Sequence, residues 1–483
     1  MNRPIRVMAI ACLVLFVALM ANINYIQYID ADDLNTMVAN NRVRHDEFSR
    51  ERGPIIVGDR QIALSEPVDD EFEYLRAYRQ TNLYANLTGF YSYDHASTDL
   101  ENSQNSILSG SDPRLFVNRV IDLLSSEQSK GGSVTLTIDP EAQRAAYEGL
   151  TKISNNGAAV ALDPDTGAVL AMVSVPGWDP NPLASHDFGK ADAAYQDLIK
   201  DPANPLLDRS REQIYAPGST FKLVTAAAAL QNGYNPDSEI NGNFSLSFPG
   251  IDYQLVNEFD CGGSTLTIAL ANSCNVAFGD LALDLGEDKI RAQAEAFGFG
   301  DSSYLDGLTV APSQFTLPGS SGELDEPQLA QSAIGQYNVA ATPLQMAMVA
   351  AGIANDGVVM NPYIVDTVRS PEFEILERTQ PDDYSEAMSS GSAAQLKEMM
   401  QAVVTQGTAA GVGLPEGSAA KTGTAQRGAG QNPYAWFVAC SPDDEVAIAV
   451  IVEDPSNVAQ DDITGSGIAG PIAVDIMNAV RNK

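Results

Sequence analysis

The stretch YAPGSTFKLVTAAAALQNG, residues 215–233, is the most informative part of this chain. A proline and a glycine interrupt an extended approach, and the alanine-rich run after them is an excellent helix former. We therefore expect a helix that begins at Ser219 and ends near Gly233. Ser219 and Lys222 stand three residues apart, so they project from the same face of that helix.

A serine and a lysine on one helical face permit nucleophilic catalysis. The lysine can take the hydroxyl proton, and the helix N-terminus stabilises negative charge that develops beside the serine. The same spacing also occurs where a serine simply caps a helix, and this chain has a second example at Ser418 and Lys421. That pair leads into a strand-like run, where residues three apart lie on opposite faces. The spacing alone is therefore weak evidence.

Two further motifs strengthen the catalytic interpretation. Ser273 and Asn275 form an SxN triplet, and the sequence KTGT at residues 421–424 follows it. SxN triplets are common in this chain, whereas KTG occurs once. The order SxxK, SxN, KTG is the motif set of serine acyltransferases that react with penicillin. All three motifs in this order are a strong signal.

The pattern around these motifs predicts a mixed α/β domain. Residues 134–138 alternate like a strand, and Asp139 is a plausible N-cap of a helix over residues 142–150. Two apolar runs in residues 158–175, joined by DPDTG, are typical of a hairpin. Three short β-type runs, KTGTAQ, AWFVACSP and EVAIAVIVED, precede a final amphipathic helix. We expect an antiparallel sheet covered by terminal helices, with an all-helical insertion beside it.

The N-terminus predicts a membrane anchor. Arg3 and Arg6 precede residues 7–29, which are 23 residues without a charge, and about 20 apolar residues suffice to cross a bilayer. A cleavable signal peptide is the alternative, but cleavage after Ala21 would leave a leucine where a small residue is preferred. The positive side stays in the cytoplasm, so we expect the rest of the chain to be exported.

At 483 residues the chain is too long for one ordinary domain. Lys130 and the two glycines after it mark a probable boundary. The predicted units are a cytoplasmic tail (1–6), a transmembrane signal-anchor (7–29), an irregular α+β membrane-proximal pedestal (30–133) and a catalytic domain (134–483).

Composition limits the partners. The chain has 28 basic and 63 acidic side chains and a net charge of −35. Such a surface repels phosphate backbones, so we expect no nucleic acid partner. A highly soluble or salt-adapted surface explains the charge equally well.

Histidine and cysteine patterns argue against metal and redox chemistry. His45, His95 and His186 are far apart in sequence, and the four cysteines include no CxxC pair. We therefore predict no metal site and no cofactor. A Ser-His-Asp hydrolase would have to use His186, because the other two lie in the N-terminal region. Cys261 and Cys274 either form a disulfide in the exported part or remain buried thiols.

The chain resembles the class B penicillin-binding proteins, which are membrane-anchored peptidoglycan D,D-transpeptidases. Within class B it is most similar to the actinobacterial type called penicillin-binding protein A. The resemblance covers essentially the whole chain. It implies a transpeptidase domain of the penicillin-binding and serine β-lactamase type, with a five-stranded antiparallel sheet, covering helices and an all-helical subdomain. Beyond the three motifs it rests on RGPI (52–55), LTIDPEAQ (136–143), ALDPDTGAVLAM, YAPGSTFK, IGQYNVAATPLQMA (334–347) and KTGTAQ followed by AWFVA.

The resemblance implies four catalytic residues. Ser219 would attack the penultimate D-Ala carbonyl of a donor stem peptide, release the terminal D-Ala and leave an acyl-enzyme. Lys222 would be the base for that step, and Ser273 would relay a proton with Lys421. Two cations that face one serine should lower the pKa of at least one lysine, and burial would add to the shift.

The resemblance also implies four substrate-binding residues. Asn275 would hold the substrate amide, and Thr422 and Gly423 would lie on a strand that pairs with the substrate backbone. Glycine would let the ligand approach that strand closely. The backbone amides of Thr424 and Ser219 would form the oxyanion hole.

The family implies peptidoglycan stem peptides on lipid II-derived glycan as substrates, β-lactams as covalent inhibitors, and a SEDS-type, RodA-like glycosyltransferase as a membrane partner in growth and division. One alternative is a D,D-carboxypeptidase or a β-lactamase on the same scaffold, although no carboxylate in the sequence is a convincing deacylating base. The other is a mainly structural activator of the glycosyltransferase.

Overall fold

A computed structural model describes residues 3–28, 41–115, 130–154, 156–257, 261–262, 264–302, 305–317, 323–428, 430–443 and 445–481. The first helix, α1 (Arg3–Tyr28), contains a 24-residue candidate span, Arg3–Ile26, in which an 18-residue window has a mean hydropathy of 2.4 and is not buried against the other described residues. Its length and composition are compatible with a single-pass membrane anchor.

The described residues outside α1 form two larger sheets and three two-stranded sheets, β4 with β5, β9 with β10 and β11 with β14. The strands are β1 (Ile55–Val57), β2 (Arg60–Pro67), β3 (Tyr74–Tyr78), β4 (Tyr91–Ser92), β5 (Ala96–Ser97), β6 (Ser133–Leu136), β7 (Asn156–Leu162), β8 (Val169–Val175), β9 (Ser245–Ser247), β10 (Gln254–Val256), β11 (Val358–Met360), β12 (Val365–Arg369), β13 (Ile375–Arg378), β14 (Asp383–Glu386), β15 (Ala419–Ala425), β16 (Tyr434–Cys440) and β17 (Ala447–Glu453).

The remaining helices are α2 (Asn41–Phe48), α3 (Thr81–Thr88), α4 (Asp99–Ser103), α5 (Asn105–Leu108), α6 (Pro140–Ile153), α7 (Phe188–Lys200), α8 (Lys222–Gln231), α9 (Leu266–Ala271), α10 (Asn275–Leu285), α11 (Glu287–Ala296), α12 (Glu326–Ser332), α13 (Pro343–Ala354), α14 (Ser390–Gln406) and α15 (Gly470–Arg481). Helices α9 to α12 lie in the chain between β8 and β15, which are strands of the central sheet. These helices form the predicted helical insertion.

The central sheet is five-stranded and antiparallel, in the order β15-β16-β17-β7-β8. Helices α6 and α15 pack against each other and on the sheet, while α13 contacts β17 and α14 contacts β15. The predicted hairpin, the three C-terminal strands and the final helix are confirmed. So is the cap of α6, because the Asp139 carboxylate accepts hydrogen bonds from the amides of Glu141 and Ala142.

A second sheet has the order β13-β12-β6-β1-β2-β3. Strand β1 pairs antiparallel with β2 and parallel with β6, and β12 joins the other side of β6. The sheet thus combines strands from the predicted pedestal (30–133) with strands from the predicted catalytic domain (134–483). The predicted domain limits stay a prediction, and their stretches 30–40 and 116–129 lie outside the described residues.

The RGPI segment anchors this second sheet through a buried ion cluster. The Arg52 and Arg76 guanidinium groups each donate to the Glu101 carboxylate over 2.6 Å, and Glu101 is 0% exposed. Burial alone would raise the pKa of Glu101, but attraction to Arg76 and Arg52 outweighs it and holds that pKa below the ordinary value. The Glu101 carboxylate is therefore ionised, and both of its oxygens are paired.

We expect Arg52→Met to lower the free energy of unfolding by about 3–5 kcal/mol, because it leaves the buried Glu101 charge short of a partner. Urea titration of the full chain in detergent measures the change. Arg79→Met is the control: its exposed pair with Glu66 should be worth no more than about 1 kcal/mol. Equal losses for the two variants would contradict the assignment.

Candidate active site

The segment that carries Ser219 is held by backbone pairing on one side. Tyr215 exchanges two backbone hydrogen bonds with Ala341, at 2.9 and 2.8 Å. A 3-10 turn, Gly218–Phe221, then leads directly into α8. The predicted helix is present, but its first turn is tighter than an α-helix, and Ser219 is half-buried at the floor of a cleft.

A glycine contact explains why this turn can form. The Gly218 amide donates to the Gly335 carbonyl over 2.9 Å. Gly335 has φ +72°, and a Cβ built there would lie 2.1 Å from the Gly218 oxygen. The IGQYN sequence therefore needs glycine at residue 335, because any side chain would push away the turn that holds the serine.

Lys222 lies directly beside the serine hydroxyl. Its Nζ is 3.0 Å from Ser219 Oγ, 2.6 Å from the Ser273 carbonyl oxygen and 2.8 Å from Asn275 Oδ1. The side chain is 0% exposed. One amine thus joins the SxxK motif to the SxN motif.

Lys421 reaches the same place from the opposite wall. Its Nζ is 2.9 Å from Ser273 Oγ and 2.8 Å from the Thr422 carbonyl oxygen, and the side chain is fully buried. Burial lowers the pKa of Lys421 to about 7. The expected depression of a lysine pKa is present, and near neutral pH this group can change its protonation state.

The SxN motif lies in a tight connection between α9 and α10. Ser273 has φ +60°, an uncommon conformation for a residue with a side chain. Cys274, which follows it, is joined to Cys261 by a disulfide. This bond links the Ser273 loop to the segment after β10, so both walls of the cleft near Asn275 are covalently connected.

The KTG sequence is not a surface turn but part of β15, the edge strand of the central sheet. Thr422 and Thr424 line the cleft. A Cβ on Gly423 would lie 2.9 Å from Thr220 Cγ2 and 3.1 Å from the Pro217 oxygen. The glycine therefore makes room for the serine turn. That it also lets a ligand approach this strand stays a prediction.

The cleft has a volume of about 530 Å³ and contains Ser219, Ser273 and Asn275 in its lining. Among the described residues, no charged side chain lines it, since the two lysines lie beneath the surface. Carboxamides and hydroxyls dominate the walls. No described carboxylate is therefore placed in the cleft to activate a water molecule.

Several candidates from the sequence lie elsewhere. Ser418 is buried beneath the sheet, 3.5 Å from Met477 Sδ, and so is not paired with Lys421. His186 bonds to Asp70 over 2.6 Å, away from the cleft lining. The Ser-His-Asp alternative is therefore wrong for Ser219 and His186.

Sequence reasoning missed further residues of the cleft, including Gln336, Thr408 and Thr464. Thr408 is the clearest case: its Oγ1 is 2.6 Å from Thr422 Oγ1. It lies in no recognisable motif. Only the fold brings it to the KTG strand, so no local pattern could have identified it.

Comparisons with known proteins identify the class. Residues 157–478 match the penicillin binding protein transpeptidase domain, and residues 52–134 match the penicillin binding protein A dimerisation domain. The chain belongs to the penicillin-binding protein family and carries its serine transpeptidase domain, as the sequence predicted.

Within this family the chain belongs with the penicillin-binding protein A type. Peptidoglycan D,D-transpeptidase PbpA of Mycolicibacterium smegmatis is 41% identical over 98% of this chain and 97% of its own length. The Mycobacterium tuberculosis protein of the same name is 37% identical over 99% of both. The ceftriaxone acyl-enzyme complex of penicillin-binding protein A from M. tuberculosis superposes with a TM-score of 0.83 at 37% identity, covering 90% of this chain and 100% of that chain.

We expect the acylation rate of the full chain with benzylpenicillin to fall about tenfold per pH unit below pH ~7, and to level off above it. The reason is that Lys421, with a pKa of about 7, is charged below that pH, and its charge opposes the transfer of the serine proton to Lys222, which it faces across Ser273. Histidines titrate in the same range, so His186→Gln serves as the control and should give the same profile. A rate that stays flat from about pH 5.5 to pH 9 would be inconsistent with this role.

Proposed function

We propose that this peptidoglycan D,D-transpeptidase acts through Ser219, with Lys222 as the base that activates it. The observation that carries the proposal is the 3.0 Å contact between Lys222 Nζ and Ser219 Oγ inside a buried network. A serine hydroxyl is a weak nucleophile unless a neighbouring base takes its proton, and no other described base touches this one.

In the first half-reaction Ser219 Oγ attacks the carbonyl carbon between the last two D-Ala residues of a donor stem peptide. The Oγ proton passes to Lys222 Nζ, 3.0 Å away. The C–N bond then breaks, and the proton held by Lys222 passes through Ser273 Oγ to the leaving D-Ala nitrogen. Ser273 Oγ contacts both lysines, at 3.2 and 2.9 Å. The backbone amides of Ser219 and Thr424 would stabilise the oxyanion.

In the second half-reaction the amine of an acceptor stem peptide attacks the acyl-enzyme. The amine gives up a proton to Lys222 as the peptide bond forms, and Lys222 returns that proton to Ser219 Oγ as the ester bond breaks. β-Lactams stop at the acyl-enzyme because their leaving group stays attached to the acyl fragment.

The fate of this acyl-enzyme distinguishes a transpeptidase from a β-lactamase or a D,D-carboxypeptidase. A labelled penicillin should stay bound to the purified full chain for many minutes. Rapid loss of label would identify a β-lactamase, and release of D-Ala without transfer to an added amine would identify a D,D-carboxypeptidase.

We also propose that the N-terminus is cytoplasmic and that α1 and the predicted membrane-proximal pedestal (residues 30–133) bind a SEDS-type, RodA-like glycosyltransferase. Arg3 and Arg6 at the start of α1 support this orientation by the positive-inside rule. In a strain that lacks the protein, failure of Ser219→Ala to restore growth or shape supports an essential chemical role. Full rescue would instead favour a scaffold that activates its partner.

We expect Ser219→Ala to abolish release of D-Ala from a synthetic peptide that ends in D-Ala-D-Ala. Lys222→Met should reduce it at least about 100-fold, because general-base catalysis contributes that much. Ser418→Ala, at the second SxxK sequence, is the matched control and should keep wild-type activity. Turnover by the Ser219 variant, or an equal loss at Ser418, would refute the assignment.

A further inference from the structure

We infer that Thr408 is a positioning residue that makes the Thr422 hydroxyl a hydrogen-bond donor to the carboxylate of the donor substrate. This inference rests on the proposed function, because a D,D-transpeptidase donor ends in a free carboxylate. Thr408 lies outside all three motifs, between the end of α14 and the start of β15.

Two contacts hold Thr408 against the SxN loop. Its amide donates to the Ala271 carbonyl over 3.0 Å, two residues before Ser273. A Cβ on the preceding Gly407 would lie 2.2 Å from the same Ala271 oxygen. The chain therefore approaches the loop closely only because residue 407 is glycine. Thr408 is thus positioned by the backbone and not by a flexible side chain.

From this position Thr408 reaches across to the KTG strand. Its Oγ1 lies 2.6 Å from Thr422 Oγ1, and both residues line the cleft. Thr422 is only 7% exposed, so the orientation of its hydroxyl is set mainly by neighbouring protein groups and not by solvent. Thr408 is the side-chain partner that the structure gives it.

The chemistry of hydroxyl groups decides the direction of this bond. Each hydroxyl has one proton to donate and lone pairs to accept with. A carboxylate only accepts, so Thr422 must aim its single proton at the ligand. Its own lone pair then has to be met by another donor, and Thr408 supplies that proton. In the reverse arrangement Thr422 would present lone pairs to an anion and repel it.

Removal of the Thr408 hydroxyl should slow acylation by a β-lactam that carries a carboxylate. Thr408→Val should lower the second-order acylation rate with benzylpenicillin at least about tenfold, the size expected for a hydrogen bond to a charged group. The loss should appear in the affinity of the initial complex, with the limiting acylation rate preserved. Thr408→Ser, which keeps the hydroxyl, should behave like the wild type.

The methyl ester of benzylpenicillin separates positioning from general damage, because it keeps the β-lactam ring but lacks the carboxylate. Thr408→Val and the wild type should react with the ester at equal rates. Thr405→Val, which removes an exposed hydroxyl bonded to the Gln401 carbonyl on the same helix, should leave both rates unchanged. If the valine variant does not fold, Thr408→Ala removes the same donor and carries the same expectation.

An equal fall in rate with both probes, or no fall with benzylpenicillin, would overturn the inference. Failure of the wild-type protein to react with either probe would overturn the proposed function as well, so the two failures are distinguishable.

Discussion

The structure depends on a buried chain of amines and hydroxyls: Ser219, Lys222, Ser273 and Lys421, linked by contacts of 3.0, 3.2 and 2.9 Å. Two lysines buried this close together cannot both remain charged without a cost, and the described cleft lining offers no carboxylate to offset it. The fold must therefore keep at least one of these two buried amines neutral beside the serine. That constraint explains why both lysines are covered, and why Ser273 connects them.

Three parts of the chain, more than fifty residues apart, meet at this point. Glycines permit each approach: Gly335 beneath the serine turn, Gly423 beside Thr220, and Gly407 against Ala271. The central sheet supplies a rigid edge through β15. The disulfide between Cys274 and Cys261 ties the Ser273 loop to the segment after β10. A rigid site holds its hydrogen-bond donors in place before the substrate binds. Such donors lower the activation free energy of acyl transfer, because they need not rearrange during the reaction.

Local features of this fold were predictable because their signals are local. The hairpin of β7 and β8, the cap at Asp139 and the three motif positions follow from turn residues, periodicity and spacing. Long-range features were not. Strands β12 and β13 join a sheet begun three hundred residues earlier, and Thr408 reaches Thr422 only through the packing of α14. The tight first turn at Ser219 likewise depends on Gly335, a contact from a distant segment.

The most direct test of the central claim is peptide mapping by mass spectrometry after the full chain reacts with benzylpenicillin. The account predicts one covalent adduct with the mass of the intact penicillin, on the peptide that contains Ser219, and none on the peptide that contains Ser418. No adduct, or an adduct on any other side chain, would show that the buried lysines do not activate this serine.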